Sequence, residues 1–257
     1  PSVVNLSTRG DVGTGNDVLI GGFVIGGSTA KTVIVTAAGP SLSQAGITNP
    51  LANPTLTLVR SSDGAVIAVN DDWGSAANAA DVQASGFAPA DPREPAILMT
   101  LAPGAYTAIV SGVGNTTGVA VAGVFEVDHP EVPLMNISTR GQVLTGNDVM
   151  IGGFVIQGTS PQTVVITGTG PSLTQAGIAN PLADPTLTLV RADGSIVGTN
   201  DNWGDAPNAA QIQAAGFAPA NAAEPAMMVT LPPGAYTAIL SGAGGGTGVG
   251  IVAVFRP

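Results

Sequence analysis

The sequence predicts an all-β protein made of two tandem antiparallel β-sandwich domains with jelly-roll or immunoglobulin-like topology. The first observation is an internal repeat: Asn-Leu-Ser-Thr-Arg-Gly at residues 5–10 returns as Asn-Ile-Ser-Thr-Arg-Gly at residues 136–141. The second is that short β-branched runs alternate with turns rich in glycine, proline and aspartate. Such spacing is typical of sandwiches, whose many short strands are joined by tight turns.

The repeat defines the predicted domain boundaries. Motifs such as Gly-Gly-Phe-Val-Ile and Pro-Thr-Leu-Thr-Leu-Val-Arg recur in the same order, with one single-residue deletion between the copies. A period this long favours a whole domain with its own core over a solenoid coil. We therefore expect a first sandwich over residues 1–128, a proline-containing linker over 129–134 and a second sandwich over 135–257. Because the linker holds two prolines, it should act as a stiff spacer.

Within one repeat the strand signals are dense. Clean alternation over residues 55–60 and the Asp63-Gly64 pair predict a hairpin, since both turn residues tolerate positive φ. Residues 76–85 are the best helix candidate, and residues 41–46 suggest one helical turn. The predicted strands of the first repeat are 17–25, 31–37, 55–60, 66–69, 96–101, 106–111 and 119–127.

Composition excludes several classes of function. The net charge is −10, and Lys31 is the only lysine, so the basic stripe that a nucleic-acid interface needs is missing. No segment approaches the roughly 18 apolar residues of a membrane helix. Cysteine is absent, which excludes disulfides and thiolate chemistry. The chain begins at Pro1 without an initiator methionine; we read it as a product whose leader peptide is removed, located outside the cell or on its surface.

Catalysis is not predicted. His129 is the only histidine, it lies in the linker, and the second repeat has no counterpart. Paired carboxylates could serve glycoside hydrolysis. However, the acidic residues Asp72 and Asp91 become Asn202 and Asn221 in the second repeat, so a duplicated site would be lost in one copy.

A calcium site is the stronger chemical hypothesis. Side-chain oxygens follow a predicted strand in the motif Asn-Asp-Asp-Trp-Gly, and clustered loop oxygens are the ligands that Ca²⁺ prefers. The alternative is that Asn70 and Asp71 cap the loop and the following helix by accepting backbone N–H groups. The candidate ligands are Asn70, Asp71, Asp72, Asp91, Glu94, Asn200 and Asp201.

Four repeated residues are interpreted as structural. Trp73 and Trp203 are the lone tryptophans of their repeats, and one aromatic ring makes a poor sugar platform, so we expect each to anchor its loop on the core. Arg9 and Arg140 should bond a carboxylate or backbone carbonyls. The natural acidic partners are Asp17 and Asp148.

The surface composition predicts self-association. Sandwiches have open edge strands that soluble proteins usually protect with lysine, and this chain has one lysine. We therefore expect a subunit of a non-covalent, head-to-tail filament or surface fibre, in which contacts between the chain ends imitate the contact between the repeats. The alternative is an adhesin or carbohydrate-binding fragment of a larger bacterial surface protein, with surface polysaccharide as its partner.

The motifs also carry a family resemblance. Ser-Thr-Arg-Gly, Ile-Gly-Gly-Phe-Val-Ile, Gly-Pro-Ser-Leu, Asn-Asp-Asp-Trp and Pro-Gly-Ala-Tyr-Thr-Ala resemble an uncharacterised tandem repeat of secreted and surface proteins of environmental bacteria. The second half of each unit is loosely similar to the bacterial pre-peptidase C-terminal domain. That resemblance implies a calcium-tolerant, non-catalytic accessory domain outside the cell.

Overall fold

Each repeat forms eight strands in the order of a jelly roll. The computed structural model describes residues 2–129 and 134–257. The strands of the first repeat are β1 (Ser2–Val12), β2 (Leu19–Ile25), β3 (Lys31–Ala38), β4 (Pro54–Arg60), β5 (Ala65–Asn70), β6 (Ala96–Leu101), β7 (Gly104–Gly112) and β8 (Gly118–Glu126). Their antiparallel pairing gives the layers β1-β8-β3-β6 and β2-β7-β4-β5. This is the connectivity of a two-sheet jelly roll.

The second repeat has the same connectivity. Its strands are β9 (Leu134–Val143), β10 (Met150–Gln157), β11 (Gln162–Thr169), β12 (Pro185–Arg191), β13 (Ile196–Asn200), β14 (Ala226–Leu231), β15 (Gly234–Gly242) and β16 (Gly248–Phe255). The layers are β9-β16-β11-β14 and β10-β15-β12-β13. The all-β prediction is therefore confirmed.

Helical segments are short and lie on the connections. The α-helices are α1 (Ala79–Ala84) and α2 (Ala209–Ala214). The 3-10 turns are Pro40–Ala45, Trp73–Ser75, Val113–Asn115, Gly146–Asp148, Pro171–Ala176, Trp203–Asp205 and Ala243–Gly245. α1 is shorter than the predicted 76–85 segment because residues 76–78 form turns ahead of it.

The two repeats join edge to edge through both layers. β1 pairs with β10, and β9 pairs with β2, so each layer runs through eight strands, four from each repeat. Sheet 1 is β6-β3-β8-β1-β10-β15-β12-β13, and sheet 2 is β5-β4-β7-β2-β9-β16-β11-β14. The backbone pair Asp11–Gln142 links the two sheets at their centre.

One hydrophobic core fills the space between the sheets. Phe23 and Phe154, equivalent residues of the two repeats, belong to the same cluster of buried side chains, together with Val12 and Met150 at the junction. The expected separate core for each repeat is therefore not confirmed. The expected linker at 129–134 includes residues 130–133, which lie outside the described part of the chain.

The repeated aromatic motifs meet across strands. Phe23 of β2 lies opposite Tyr106 of β7, with ring centroids 5.6 Å apart, and Phe154 and Tyr236 repeat the arrangement. The Tyr106 hydroxyl donates to the Ala102 carbonyl at 2.8 Å, so its polar end is satisfied while its ring is buried.

Close approach at the junction requires glycine. A Cβ on Gly22 would lie 3.0 Å from the Ser138 Oγ, and a Cβ on Gly153 would lie 3.0 Å from the Ser7 Oγ. The second glycine of each Gly-Gly-Phe-Val-Ile motif thus lets a strand of the other repeat lie against it.

Candidate functional site

The β6 and β14 edges of the two sheets are covered by the segment that precedes each strand. The Asn70 Oδ1 accepts the Ala96 N–H at 3.0 Å, and the Asn78 amide donates to the Leu98 carbonyl at 3.3 Å. Asn200 and Asn208 do the same for β14, at 2.9 and 2.8 Å. These amides satisfy backbone groups that would otherwise attract another strand.

The β5 and β13 edges are open. Among the described strands, β5 pairs only with β4 and β13 only with β12. Neither strand contains a charged residue or proline, the usual means of blocking an edge. Each has a bulge, at Ile67 and at Val197, which limits regular pairing to short stretches on either side.

These two edges carry the most exposed large apolar side chains of the described residues. Val66 and Val69 on β5 are each 60% exposed, and Ile196 on β13 is 63% exposed. The other exposed large apolar residues, such as Phe87 at 39%, are clearly less accessible. Uncharged strand edges with outward apolar side chains are docking sites for a further strand.

The open edges lie at opposite ends of the molecule. β5 ends sheet 2 on the side of the first repeat, and β13 ends sheet 1 on the side of the second. Eight strands at the usual spacing separate the ends of a sheet by roughly 34 Å. The strands β1, β2, β9 and β10 lie inside the sheets, so they are already paired on both sides.

A groove of about 430 Å³ lies beside β13. It opens between β13 and β14, and its apolar walls include Val197, Met227, Met228 and Val229. The corresponding residues of the first repeat are Ile67, Ile97, Leu98 and Met99. Gly198, another lining residue, replaces Ala68, so the second repeat has smaller side chains on its edge strand and flexible methionines behind them.

The sequence-predicted metal ligands do not converge. Asn70 holds the β6 edge, Asp71 is exposed, and Asp91 forms an ion pair with Arg93 at 2.7 Å. Asn200 acts as Asn70 does, and Asp201 is exposed. Within residues 2–129 and 134–257, no group of three or more acidic or histidine side chains is placed to hold a metal ion. Calcium binding stays a prediction.

Glu94 is the buried member of that set. Its Oε1 accepts the Gly39 N–H at 2.8 Å, the Ser41 N–H at 2.9 Å and the Ser41 hydroxyl at 2.7 Å. Glu224 binds Gly170 and Ser172 in the same way. The Glu94 carbonyl also accepts the Trp73 N–H at 3.0 Å. The glutamate therefore ties the end of β3 to the segment that covers β6.

Asp91 and Trp73 belong to the same segment, which covers the β6 edge. The Trp73 indole N–H donates to the Asp91 carbonyl at 3.1 Å, and the ring packs on a small cluster of Ile34, Val82 and Ala96. The hydrogen bond from the Arg93 guanidinium lowers the pKa of Asp91 to about 2. The second repeat has lost both charges together, as Asn221 and Ala223. The main-chain N–H of Trp203 still donates to the Glu224 carbonyl, but the buried indole N–H of Trp203 has no hydrogen-bond acceptor among the described residues.

The repeated arginines reach across the junction. The Arg9 guanidinium donates to the Asn147 carbonyl at 2.6 Å, and Arg140 donates to the Asn16 carbonyl at 3.1 Å. Each arginine thus contacts the loop of the other repeat, next to the predicted partners Asp148 and Asp17. Sequence reasoning predicted carboxylates or backbone carbonyls as acceptors, and the acceptors are backbone carbonyls of residues adjacent to those two aspartates.

Two equivalent threonines meet at the centre of the molecule. The Thr8 and Thr139 hydroxyls lie 2.6 Å apart and are buried. Because these residues occupy the same position in β1 and β9, they mark an approximate two-fold relation between the repeats.

Asp11, near this centre, provides a pH-dependent test. Burial, together with the nearby Asp148 carboxylate, raises the pKa of Asp11 above its ordinary value of 3.8. The folded protein therefore binds this proton more tightly than the unfolded chain, so the contribution of Asp11 to stability should fall as pH rises from 3.8 through the folded pKa. Asp11→Asn is expected to raise stability at pH 7 and to remove this contribution from the slope of stability against pH, measured by urea unfolding between pH 3 and 7. An unchanged slope would contradict the assignment.

Lys31 forms a clamp that sequence analysis missed. The side chain is fully buried, 2.9 Å from the Glu126 carboxylate, and it donates to the Asp128 carbonyl at 3.0 Å and the His129 carbonyl at 2.6 Å. His129 has φ of 47°. The only lysine and the only histidine therefore meet where the chain leaves the first repeat. The sequence carried one signal for this contact: lysine and histidine each occur once in the chain, and neither has a counterpart in the second repeat.

A second cleft, of about 320 Å³, lies beside this clamp. Phe87 and Phe125 stack there with ring centroids 5.0 Å apart. Glu126, Asp128 and Gln157 also line the cleft. It combines an aromatic face with polar side chains.

Comparison with known proteins adds little. No family model matches the chain, and no curated protein matches it. Among solved structures, similarity is found to the major capsid protein P2 of bacteriophage PM2, at 8% identity and TM-score 0.24, over 96% of this chain and 97% of that one. A DUF4785 family protein of Legionella pneumophila gives 7% identity and TM-score 0.26, over 98% and 84%. Likenesses at these TM-scores support no argument. No helix in the described ranges is long and apolar enough to cross a membrane.

Proposed function

We propose that the protein is a non-catalytic structural subunit that assembles end to end, without covalent bonds, into an extracellular fibre or matrix. The observation that supports this function is the location of the exposed apolar residues: Val66, Val69 and Ile196 all lie on the two open edge strands. One docking edge at each end of an elongated sandwich allows each copy to bind two neighbours, which is the minimum for a fibre.

The position of the contact differs from the sequence-based hypothesis. That hypothesis used the chain ends, by analogy with the junction between repeats. Because the junction strands are paired on both sides, assembly through β5 and β13 requires no rearrangement of the fold. The short regular stretches beside each bulge make a single contact weak, so fibre formation should depend strongly on concentration.

Lysines on the β5 edge test this proposal. The variant Val66→Lys/Val69→Lys puts charge on both outward positions, and we expect the concentration needed for fibres to rise about tenfold or more. Negative-stain electron microscopy and sedimentation over a concentration series measure it. Val113→Lys, which replaces an exposed apolar residue outside the edges, is the matched control. Fibres of wild-type density in the double lysine variant would exclude β5 as the contact.

Calcium and location belong to the same proposal. Fibres that persist in a chelator would make calcium incidental to assembly, and fibres that dissolve would place the ion at a contact. Surface labelling of intact source cells with an antibody would test the extracellular location, which the resemblance to repeats of bacterial surface proteins implies.

A carbohydrate-binding module is the second candidate. The stacked Phe87–Phe125 pair, beside the Glu126 and Asp128 side chains, is the exposed aromatic feature that favours it. Glycan-array binding by protein that stays monomeric at all concentrations would support this alternative over the fibre.

A further inference from the structure

We propose that assembly is polar: the β5 edge of one copy docks antiparallel on the β13 edge of the next. This inference rests on the proposed fibre function and names its partner surface. Two open edges permit three contacts, β5 with β5, β13 with β13, and β5 with β13. The first two contacts each join like ends. A fibre built from them alternates between β5–β5 and β13–β13 contacts, so it has no direction. The third joins unlike ends and adds every copy in the same direction.

Charge at the edges favours the contact between unlike ends. In an antiparallel arrangement, Asp71 and Asp72, which follow β5, lie beside the hairpin that precedes the partner strand. If that strand is another β5, the hairpin arginine is Arg60, whose guanidinium is already bound by Asp63 at 2.6 Å. An additional carboxylate pair gains little there.

The β13 hairpin offers a better partner. Its arginine, Arg191, donates to the Ser195 hydroxyl at 3.2 Å, whereas Arg60 is held by both carboxylate oxygens of Asp63. The hydrogen bonds from Ser195, together with the nearby Arg191 guanidinium, lower the pKa of Asp193, so Arg191 already has one carboxylate close to it. Because its hydrogen bond within the described residues goes to a hydroxyl, the Arg191 guanidinium keeps donors for an incoming Asp71. If the incoming strand were another β13, it would bring only one carboxylate to the Arg191 hairpin, because Asn202 replaces Asp72 in the second repeat.

Shape favours the same choice. The β13 end has the groove of about 430 Å³, with Gly198 on the strand and Met227 behind it. At the β5 end, Ile67 and Ala68 are each one carbon larger than Val197 and Gly198. A contact between two β13 ends leaves two grooves facing each other, whereas a β5 end opposite a β13 end puts the fuller surface against the groove.

Outer-face side chains complete the contact. When β5 lies along β13, the exposed Val66 and Val69 become cross-strand neighbours of Ile196 and Thr199. Aliphatic and threonine side chains are favourable cross-strand partners on a sheet face. The contact therefore covers all three strongly exposed apolar residues at once.

Single-end variants of the full chain distinguish the three contacts. Val66→Lys/Val69→Lys blocks the β5 end, and Ile196→Lys/Thr199→Lys blocks the β13 end. Circular dichroism and thermal melting check that both variants are folded. At a concentration where wild-type protein forms fibres, we expect each variant alone to be monomeric by sedimentation velocity. An equimolar mixture is expected to form a one-to-one dimer, because each variant keeps one complementary end.

The outcomes separate this inference from the function on which it rests. Homodimers of either variant alone, with no dimer specific to the mixture, would overturn the polar contact and leave the fibre intact. Wild-type protein that stays monomeric at every concentration would overturn both.

Charge exchange provides an independent check: Arg191→Asp should raise the concentration needed for fibres at least tenfold, and adding Asp71→Arg/Asp72→Arg to the same chain should restore fibre formation. Failure of that restoration would contradict the proposed register.

Discussion

Replacing Glu94 with alanine is expected to lower the free energy of unfolding by about 3–5 kcal/mol. The carboxylate is fully buried and accepts two backbone N–H groups and one hydroxyl at 2.7–2.9 Å. Alanine leaves these donors buried without an acceptor, and it also detaches the covering segment from β3. A loss of this size corresponds to a melting temperature lower by about 10 °C for a chain of this length.

Glu224 gives a matched experiment in the other repeat. It makes the same contacts with Gly170 and Ser172. Because the sheets and the core are continuous through both repeats, we expect Glu94→Ala and Glu224→Ala to lower one and the same cooperative transition in calorimetry. Asp81→Ala, which removes an exposed carboxylate, should change stability by less than about 0.5 kcal/mol. Two separate transitions, only one of them shifted in each variant, would show that the repeats unfold independently.

The sequence predicted the fold class well because its signals are local. The Leu-x-Leu alternation of β4, the Asp63-Gly64 hairpin and the Pro-Gly turn before β7 depend on neighbouring residues alone. β1 was not predicted as a strand, since Thr8 and Gly10 stand at buried positions where an apolar side chain would show the alternation. Ser7, Arg9 and Asp11 alternate with them at partly exposed positions, and β1 itself lies between β8 and β10, one strand from each repeat. That placement depends on contacts between residues more than 100 positions apart, for which one sequence holds no periodic signal.

The candidate site residues also depend on contacts between distant parts of the sequence, which a single sequence does not reveal. The Asn-Asp-Asp-Trp motif was interpreted as metal ligands or loop caps, and the contacts of Asn70 resemble the second interpretation. Its amide nitrogen donates to the Asp72 carbonyl of its own loop, and its amide oxygen accepts the Ala96 N–H of β6. Open edges were predicted from the shortage of lysine. Which strands form them follows from the order of strands in the sheets, and that order is set by long-range pairing.

We expect the second large loss of stability from a single change at the Lys31–Glu126 ion pair. Lys31→Met is expected to cost about 3–5 kcal/mol, because it leaves the Glu126 carboxylate buried without its cation, and it frees the Asp128 and His129 carbonyls from their donor. Chemical denaturation measures the loss. Gln162→Met, the equivalent change in the second repeat, removes only a partly buried neutral amide and should cost less than about 1 kcal/mol.

A second variant separates the loss of the ion pair from a simple packing defect. In Lys31→Met/Glu126→Gln the buried charge is gone, so we expect the double variant to recover at least half of the stability lost in Lys31→Met. The second repeat supports this expectation, because it has no such acid–lysine pair: the equivalent positions are Gln162 and Arg256, yet its strands β11 and β16 pair in the same antiparallel way. We therefore expect the ion pair to fix the chain where it leaves β8, and the sandwich to fold without it when both charges are removed. If the double variant is as unstable as Lys31→Met, the carbonyl contacts at Asp128 and His129 carry the energy, and the lysine acts as a donor to the backbone more than as a partner for Glu126.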